Sequence, residues 1–154
     1  MTATAAGRER GTTLVTRLAE ARAAKAPSAF LAAVPYAHYL GIEATLNGDQ
    51  LLFRLPFHRR LVGNPLLPAL HGGATAALAE IAATVILLWR HESERLPKNV
   101  TTTMDYRRMA GAADTFAAGE VTRLGRQLAT VQVTLWQEAR DKPVAVGQTH
   151  FLLT

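Results

Sequence analysis

The sequence predicts an α+β fold in which a curled antiparallel sheet wraps around one long central helix. Three observations predict it. The apolar block from Gly72 to Trp89 is rich in alanine and too long for an ordinary strand, so we expect a core helix that is apolar on all sides. Segments with strand-like alternation lie on both sides of this block. A chain of 154 residues has room for one domain.

The residues before the sheet are predicted to be helical. Residues 12–25 have an amphipathic pattern that ends before Pro27, and a short turn is expected over residues 28–34. We therefore divide the chain into an N-terminal helical extension, residues 1–35, and a main domain, residues 36–154.

Alternation predicts the strands of the main domain. Residues 42–46 and 51–55 flank a hairpin turn whose Gly48 tolerates positive φ, and a proline-containing loop, residues 56–70, leads to the helix. The strands after the helix are expected at residues 100–106, 116–122, 129–135 and 144–153. Because their connections are short, we expect these four to follow one another as a meander.

The composition excludes several classes of protein. Hydrophobic residues make up 49% of the chain and charged residues 19%, which excludes wholesale disorder. The chain has no cysteine, which excludes disulfide bonds, cysteine-ligated zinc, iron–sulfur clusters and thiol catalysis. The net charge of +5 favours an anionic partner or simply a soluble surface. The basic residues are scattered and lack an aromatic stacking motif, so we expect no nucleic-acid binding.

The sequence predicts a cytoplasmic protein without membrane insertion. Residues 1–11 are small and polar and include charged residues, unlike a secretory signal. The apolar block is long enough to span a bilayer. However, Glu80 at its middle would cost about 2.5–3.5 kcal/mol there.

Candidate chemistry begins at His71-Gly72-Gly73, which opens the predicted helix. The first backbone N–H groups of a helix have no partner inside it and lie at the positive end of its dipole. Glycine lets a ligand come close to these donors, so this end of the helix can bind an anion or a developing oxyanion. The plainer alternatives are a tight turn and a core histidine.

Glu80 and Thr84 lie four residues apart and therefore share one face of the same helix. A carboxylate on a core helix is rare unless it is paired or functional. The small residues Ala76, Ala77, Ala79 and Ala83 leave room for a substrate beside it. The alternatives are a salt bridge from Glu80 to an arginine and a packing role for Thr84, with its hydroxyl bonded to its own backbone.

Gly72 and Glu80 are about 12 Å apart along a helix. Oxyanion donors and a base or nucleophile must lie within about 3–3.5 Å of the same reacting carbonyl. One chain cannot place both groups there, whereas two antiparallel helices across a two-fold axis can. If the site is catalytic, the sequence predicts an obligate dimer with two composite sites.

This combination of residues resembles the hotdog-fold thioesterases of the PaaI-like, 4-hydroxybenzoyl-CoA thioesterase type. It consists of His71-Gly72-Gly73, Glu80 nine residues after the histidine, and Thr84. Residues 123–129, Arg-x-Gly-Arg-x-x-Ala, resemble the start of the long strand in that family, and the resemblance covers residues 36–154. It implies a hotdog fold, hydrolysis of an aryl- or medium-chain acyl-CoA, and a homodimer or dimer of dimers. Coenzyme A is then part of the substrate, and no metal or other cofactor is implied.

The resemblance also implies roles for single residues. Glu80 matches the general base or nucleophile, and Gly72 matches the glycine whose N–H polarises the thioester carbonyl. His71 matches the motif histidine beside that glycine, and Thr84 matches the hydroxyl that helps hold the attacking water.

Asn64 is the position at which the chain departs from the family. Members usually have Asn or Gln six residues before the histidine, where this chain has Pro65, and Asn64 lies seven residues before it. Either a one-residue insertion lets Asn64 reach the thioester, or its role is missing.

Basic side chains near the site would hold the phosphates of coenzyme A. We expect Arg123 and Arg126 first, and Arg107 or Arg108 next. Two alternatives to hydrolysis stay open. One is a hotdog enoyl-CoA hydratase or dehydratase, which needs a histidine placed with the carboxylate, and the other is a non-catalytic acyl-CoA-binding protein.

Overall fold

Three helices precede the sheet in the computed structural model, which describes residues 5–91 and 96–153. They are α1 (Ala5–Ala23), α2 (Pro27–Leu31) and α3 (Pro35–Leu40). α1 begins before the predicted residue 12. α3 is a helix that the sequence analysis did not predict. Pro35 suits the first position of a helix, and Gly41, at φ 72°, ends it. Residues 1–4 of the predicted extension, and Thr154 at the other end of the main domain, lie outside the described residues.

The strands and the long helix lie close to their predicted positions. They are β1 (Glu43–Asn47), β2 (Gln50–Leu55), β3 (Val62–Asn64), β4 (Ala69–Leu70), α4 (Gly72–Arg90), β5 (Lys98–Tyr106), β6 (Thr115–Leu124), β7 (Leu128–Trp136) and β8 (Ala145–Leu152). Gly48 has φ 61° in the β1–β2 turn, as expected. The region predicted as a loop instead contains a 3-10 turn, Arg59–Leu61, and the small hairpin of β3 and β4.

The main sheet has the strand order β1-β2-β6-β7-β8-β5, and all neighbouring strands are antiparallel. The predicted four-strand meander is therefore wrong for β5, which pairs with β8 at the edge of the sheet and not with β6. β5 and β6 are three strand spacings apart, about 14 Å at about 4.8 Å per spacing. The eight residues 107–114 can span that distance, at up to about 3.3 Å each.

The core lies between the sheet and α4. Alternate residues of β7 are buried on its inner face, and they are Ala129, Val131, Val133 and Leu135. On α4, Leu78, Ala79, Ala82 and Ala83 are fully buried. α1 adds Leu18 and Ala21 to the core, so the extension packs onto the main domain.

α4 is the one helix among the described residues that is long and apolar enough to cross a membrane. Its packing against the sheet is that of the core helix of a small domain. The cytoplasmic location stays a prediction.

Candidate functional site at the start of the central helix

His71 forms the N-cap of α4. Its backbone is extended, with φ −63° and ψ 133°, and its Nδ1 accepts a hydrogen bond of 2.9 Å from the N–H of Gly73. Its carbonyl oxygen accepts the N–H of Ala74 at 2.9 Å. A side-chain acceptor at this position satisfies a donor that the first turn cannot bond internally. The imidazole is exposed, so His71 is not a core histidine.

Gly72 is the first residue of α4, and its N–H belongs to the turn in which such groups have no partner inside the helix. Among the described residues no acceptor bonds to this N–H, whereas the N–H of Gly73 is bonded to His71. The N–H of Gly72 also lies at the positive end of the helix dipole. It is therefore available to a carbonyl or anionic oxygen of a ligand.

The β3–β4 hairpin holds His71 in place. The N–H of His71 donates to the carbonyl oxygen of Leu61 at 2.8 Å, and the N–H of Leu70 donates to that of Ala110 at 2.8 Å. Gly63 lies directly against the histidine, because a β-carbon at residue 63 would come within 2.8 Å of the His71 α-carbon. Only glycine permits this approach.

Asn64 lies in the same hairpin. Val62 pairs with Leu70 and Asn64 pairs with Ala69, so β3 has one more residue than β4 over this stretch. The Oδ1 of Asn64 accepts the N–H of Leu66 at 3.0 Å. Its side-chain N–H groups have no partner in the part of the chain that the structure describes. The bulge shows that the hairpin accommodates an extra residue, and the role of Asn64 in the site stays a prediction.

One face of α4 is not covered by the sheet. It carries Gly73 and Glu80, which are exposed, and Ala76, Ala77 and Thr84, which are half-buried. These residues recur every three or four positions and form a single row, which we call the open stripe. The expectation that α4 is enclosed on all sides is therefore wrong for the single chain, and Glu80 is not a buried carboxylate in it. The sheet is curled on one side of α4 only.

The carboxylate of Glu80 has no hydrogen-bond or ion-pair partner among the described residues, so the salt-bridge alternative finds no support there. The hydroxyl of Thr84 donates to the carbonyl oxygen of Glu80 at 2.8 Å, as the packing alternative expects, and its oxygen can still accept a hydrogen bond. Gly72 and Glu80 belong to one continuous helix, which keeps them about 12 Å apart. The protomer does not bring these two groups together.

Asp114 fixes the segment that leads into the site, and the sequence analysis missed it. Its Oδ1 accepts the N–H of Phe57 at 2.7 Å, and its Oδ2 accepts both Nε and Nη2 of Arg54, at 2.9 and 2.7 Å. The hydrogen bond from Phe57 and then those from Arg54 lower the pKa of Asp114. Hydrogen bonds to Asp114 and then to Glu43 raise the pKa of Arg54.

The four predicted arginines lie at two opposite ends of the sheet. Arg107 and Arg108 follow β5 directly, and both donate their N–H groups to the carbonyl oxygen of Val144. Arg123 and Arg126 lie at the β6–β7 turn. The antiparallel register places this turn beside the end of β8 and the start of β5, which is the opposite end of β5 from Arg107 and Arg108. The protomer therefore does not bring the two pairs together. All four residues are exposed.

Comparison with protein families gives a match to the central part of the chain. The model of the thioesterase superfamily matches residues 67–144, which include the start of α4, the open stripe and β5 to β7. The chain belongs to the thioesterase superfamily. No curated protein gives a significant match.

Several solved structures are similar to this chain in fold. A protein of Chromobacterium violaceum is 38% identical over 90% of this chain and 97% of that chain, with a TM-score of 0.75. A thioesterase of Haemophilus influenzae is 22% identical, covering 76% of this chain and 80% of that chain, with a TM-score of 0.68. Thioesterase superfamily member 2 of zebrafish is 23% identical, covering 73% and 81%, with a TM-score of 0.63. The last two likenesses concern the fold alone. The predicted hotdog fold is confirmed, and the PaaI-like subgroup stays a prediction.

Proposed function

We propose that this member of the thioesterase superfamily hydrolyses an aryl- or medium-chain acyl-CoA to the free acid and coenzyme A. The proposal is carried by two groups on one helix that have no partner within residues 5–91 and 96–153, the N–H of Gly72 and the carboxylate of Glu80. An N–H at a helix N-terminus stabilises an oxygen that becomes negative, and a carboxylate serves as a base or a nucleophile. Hydrolysis of a thioester needs both functions.

We propose that the site is composite and that the active form is a homodimer or a dimer of dimers. The 12 Å between Gly72 and Glu80, estimated from the helical rise, requires the two groups to come from different protomers. The open stripe supports close contact with another helix, because Gly73, Ala76 and Ala77 are small. No strand of the part of the chain that the structure describes pairs with the outer edge of β5, and Val100 there is 62% exposed.

In the proposed reaction, the N–H of Gly72 bonds to the thioester oxygen and polarises the carbonyl. The partner's Glu80 either takes a proton from water, so that the hydroxide oxygen bonds to the carbonyl carbon, or attacks this carbon itself and forms an anhydride that water cleaves. The partner's Thr84 accepts a hydrogen bond from the water. When the carbonyl re-forms, the C–S bond breaks and the thiolate of coenzyme A takes up a proton.

Released thiol measures this reaction directly, since a chain without cysteine gives no background with a thiol reagent. The panel should contain aryl-CoA and acyl-CoA esters of increasing chain length, and enoyl-CoA for hydration. We expect wild-type turnover and a loss of about 10²- to 10⁴-fold in Glu80→Gln. Glu120→Gln is the matched control, because Glu120 is an exposed carboxylate on β6.

Three results would contradict the proposal. Equal rates for Glu80→Gln and wild type would remove Glu80 from the mechanism. Tight acyl-CoA binding without turnover would make the protein a binding protein. Hydration of the enoyl-CoA without thiol release would make it a hydratase.

A further inference from the structure

The carbonyl oxygen of Gly72 is held by two side chains. The hydroxyl of Tyr106 donates to it at 2.8 Å, and the hydroxyl of Thr75 donates to it at 2.8 Å. In an ordinary helix this oxygen accepts only the N–H four residues later. Gly72 is thus restrained from outside its own helix, by the last residue of β5.

The ring of Tyr106 also lies close to Gly72. A β-carbon on residue 72 would stand 3.3 Å from the Tyr106 hydroxyl oxygen and 3.4 Å from Cζ. A real side chain at residue 72 would therefore push the ring away by a few tenths of an ångström. The glycine accommodates this ring as well as a ligand.

Tyr106 is not held in place by burial in the core. Tyr106 is 53% exposed at the end of the edge strand, whereas Thr75 is 2% exposed and points into the protein. Burial alone does not explain the placement of the Tyr106 ring, and its hydroxyl is hydrogen-bonded to Gly72. This hydrogen bond connects the edge of the sheet with the first turn of α4.

We infer that Tyr106 is a positioning residue for the N–H of Gly72. Its hydrogen bond fixes the planar peptide unit that joins Gly72 to Gly73, and the N–H of Gly72 is one α-carbon away from that unit. The inference rests on the proposed function, in which that N–H bonds to the thioester oxygen. A donor that is already oriented stabilises the developing oxyanion without a cost of reorganisation, and a loosened donor stabilises it less. Tyr106 acts through Gly72 and does not touch the reacting atoms.

The test compares two variants. Tyr106→Phe removes only the hydroxyl of Tyr106. Tyr36→Phe is the control, because Tyr36 on α3 has a similar exposed fraction, 55%. In Tyr106→Phe we expect kcat to fall about three- to tenfold, as one hydrogen bond warrants, with KM unchanged. We also expect the ¹⁵N order parameter of the Gly72 N–H to fall from about 0.85 towards 0.6. Tyr36→Phe should change neither quantity.

An unchanged order parameter for Gly72, or an unchanged kcat, overturns the inference. A rise in KM at constant kcat also overturns it, because Tyr106 would then bind the substrate. If wild type cleaves no acyl-CoA, the proposed function fails, and the order parameter still decides whether Tyr106 restrains Gly72. Thr75→Val provides a second variant that loosens the same oxygen, and it should lower the same order parameter.

Discussion

Gly63 and His71 touch so closely that a β-carbon on residue 63 would come within 2.8 Å of the His71 α-carbon and of its ring Cδ2. The contact joins the β3–β4 hairpin to the N-cap of α4. The cap therefore depends on a residue that is eight positions earlier in the chain and outside the helix.

Gly63→Ala should displace this cap. Because the obstructing atoms include the backbone α-carbon of His71, the hairpin or His71 must move. A misplacement of about 1 Å in a site costs about 10²-fold in rate. Acyl-CoA hydrolysis measures the effect. Gly111→Ala is the control, since its β-carbon would meet only Gln137, at 3.8 Å. Equal activity of the two variants would show that the β3–β4 hairpin does not position the N-cap of α4.

Gly72→Pro should remove the proposed oxyanion donor and leave the helix intact. Proline suits the first helical position, and the extended backbone of His71 suits a residue that precedes proline. We expect kcat to fall about 10²- to 10³-fold. Gly72→Ala, which keeps the N–H and has a similar contact with Tyr106, should lose much less. An equal fall in kcat in both variants would show that the contact with the Tyr106 ring, and not the loss of the N–H, lowers the rate.

Mixing Glu80→Gln with Gly72→Pro tests whether the site is composite. In a dimer that contains one chain of each, one site carries both changes and the other carries neither. Random pairing makes half of the dimers mixed, each with one intact site of two, so activity should recover to about one quarter of wild type. Separately tagged, co-expressed chains allow this measurement. No recovery in isolated mixed dimers would place both groups in one protomer.

Asp114→Asn should destabilise the protein at neutral pH more than at acid pH. Asp114 has a lowered pKa, so the stability it contributes is present above the ordinary carboxyl pKa of about 3.9 and is lost as the pH falls through the lowered value. Its side chain is 34% exposed, so we expect a cost of only about 1 kcal/mol, or about 2–4 °C in Tm.

Thermal unfolding at pH 7 and at pH 2 measures this difference for Asp114→Asn. Asp105→Asn is the control, because the Asp105–Arg107 pair is exposed on both sides, at 62% and 52%. If the difference in Tm between wild type and Asp114→Asn were larger at pH 2 than at pH 7, the lowered pKa of Asp114 would be contradicted.

Arg108→Ala should raise KM for acyl-CoA more than Arg123→Ala does. Arg108 follows β5 on the side of Tyr106 and Gly72, whereas Arg123 lies at the far end of the sheet. A lost contact with a phosphate corresponds to about a tenfold rise. An acyl-pantetheine substrate, which lacks the nucleotide, should show no such rise. The reverse order of KM values would place the phosphates at the β6–β7 turn.

The sequence indicated the candidate site residues but not the contacts that surround them. His71, Gly72, Glu80 and Thr84 could be selected because helix starts and four-residue spacings are local patterns. Tyr106 had been treated only as a strand residue, since nothing near it in the chain indicates a contact with Gly72, which is 34 residues away. Asp114 was missed for the same reason.

The sequence by itself determined the long helix and the six strands of the main sheet, but not α3 or the β3–β4 hairpin. It also determined the distance of about 12 Å that separates Gly72 from Glu80 along the helix. Periodicity and propensity act over a few residues, so they suffice for this purpose. Only the tertiary structure decided that β5 pairs with β8 at the sheet edge, that one stripe of α4 stays uncovered, and that Gly63 and Tyr106 hold the start of the helix. These features depend on packing between segments far apart in the chain, and such packing has no local sequence signal.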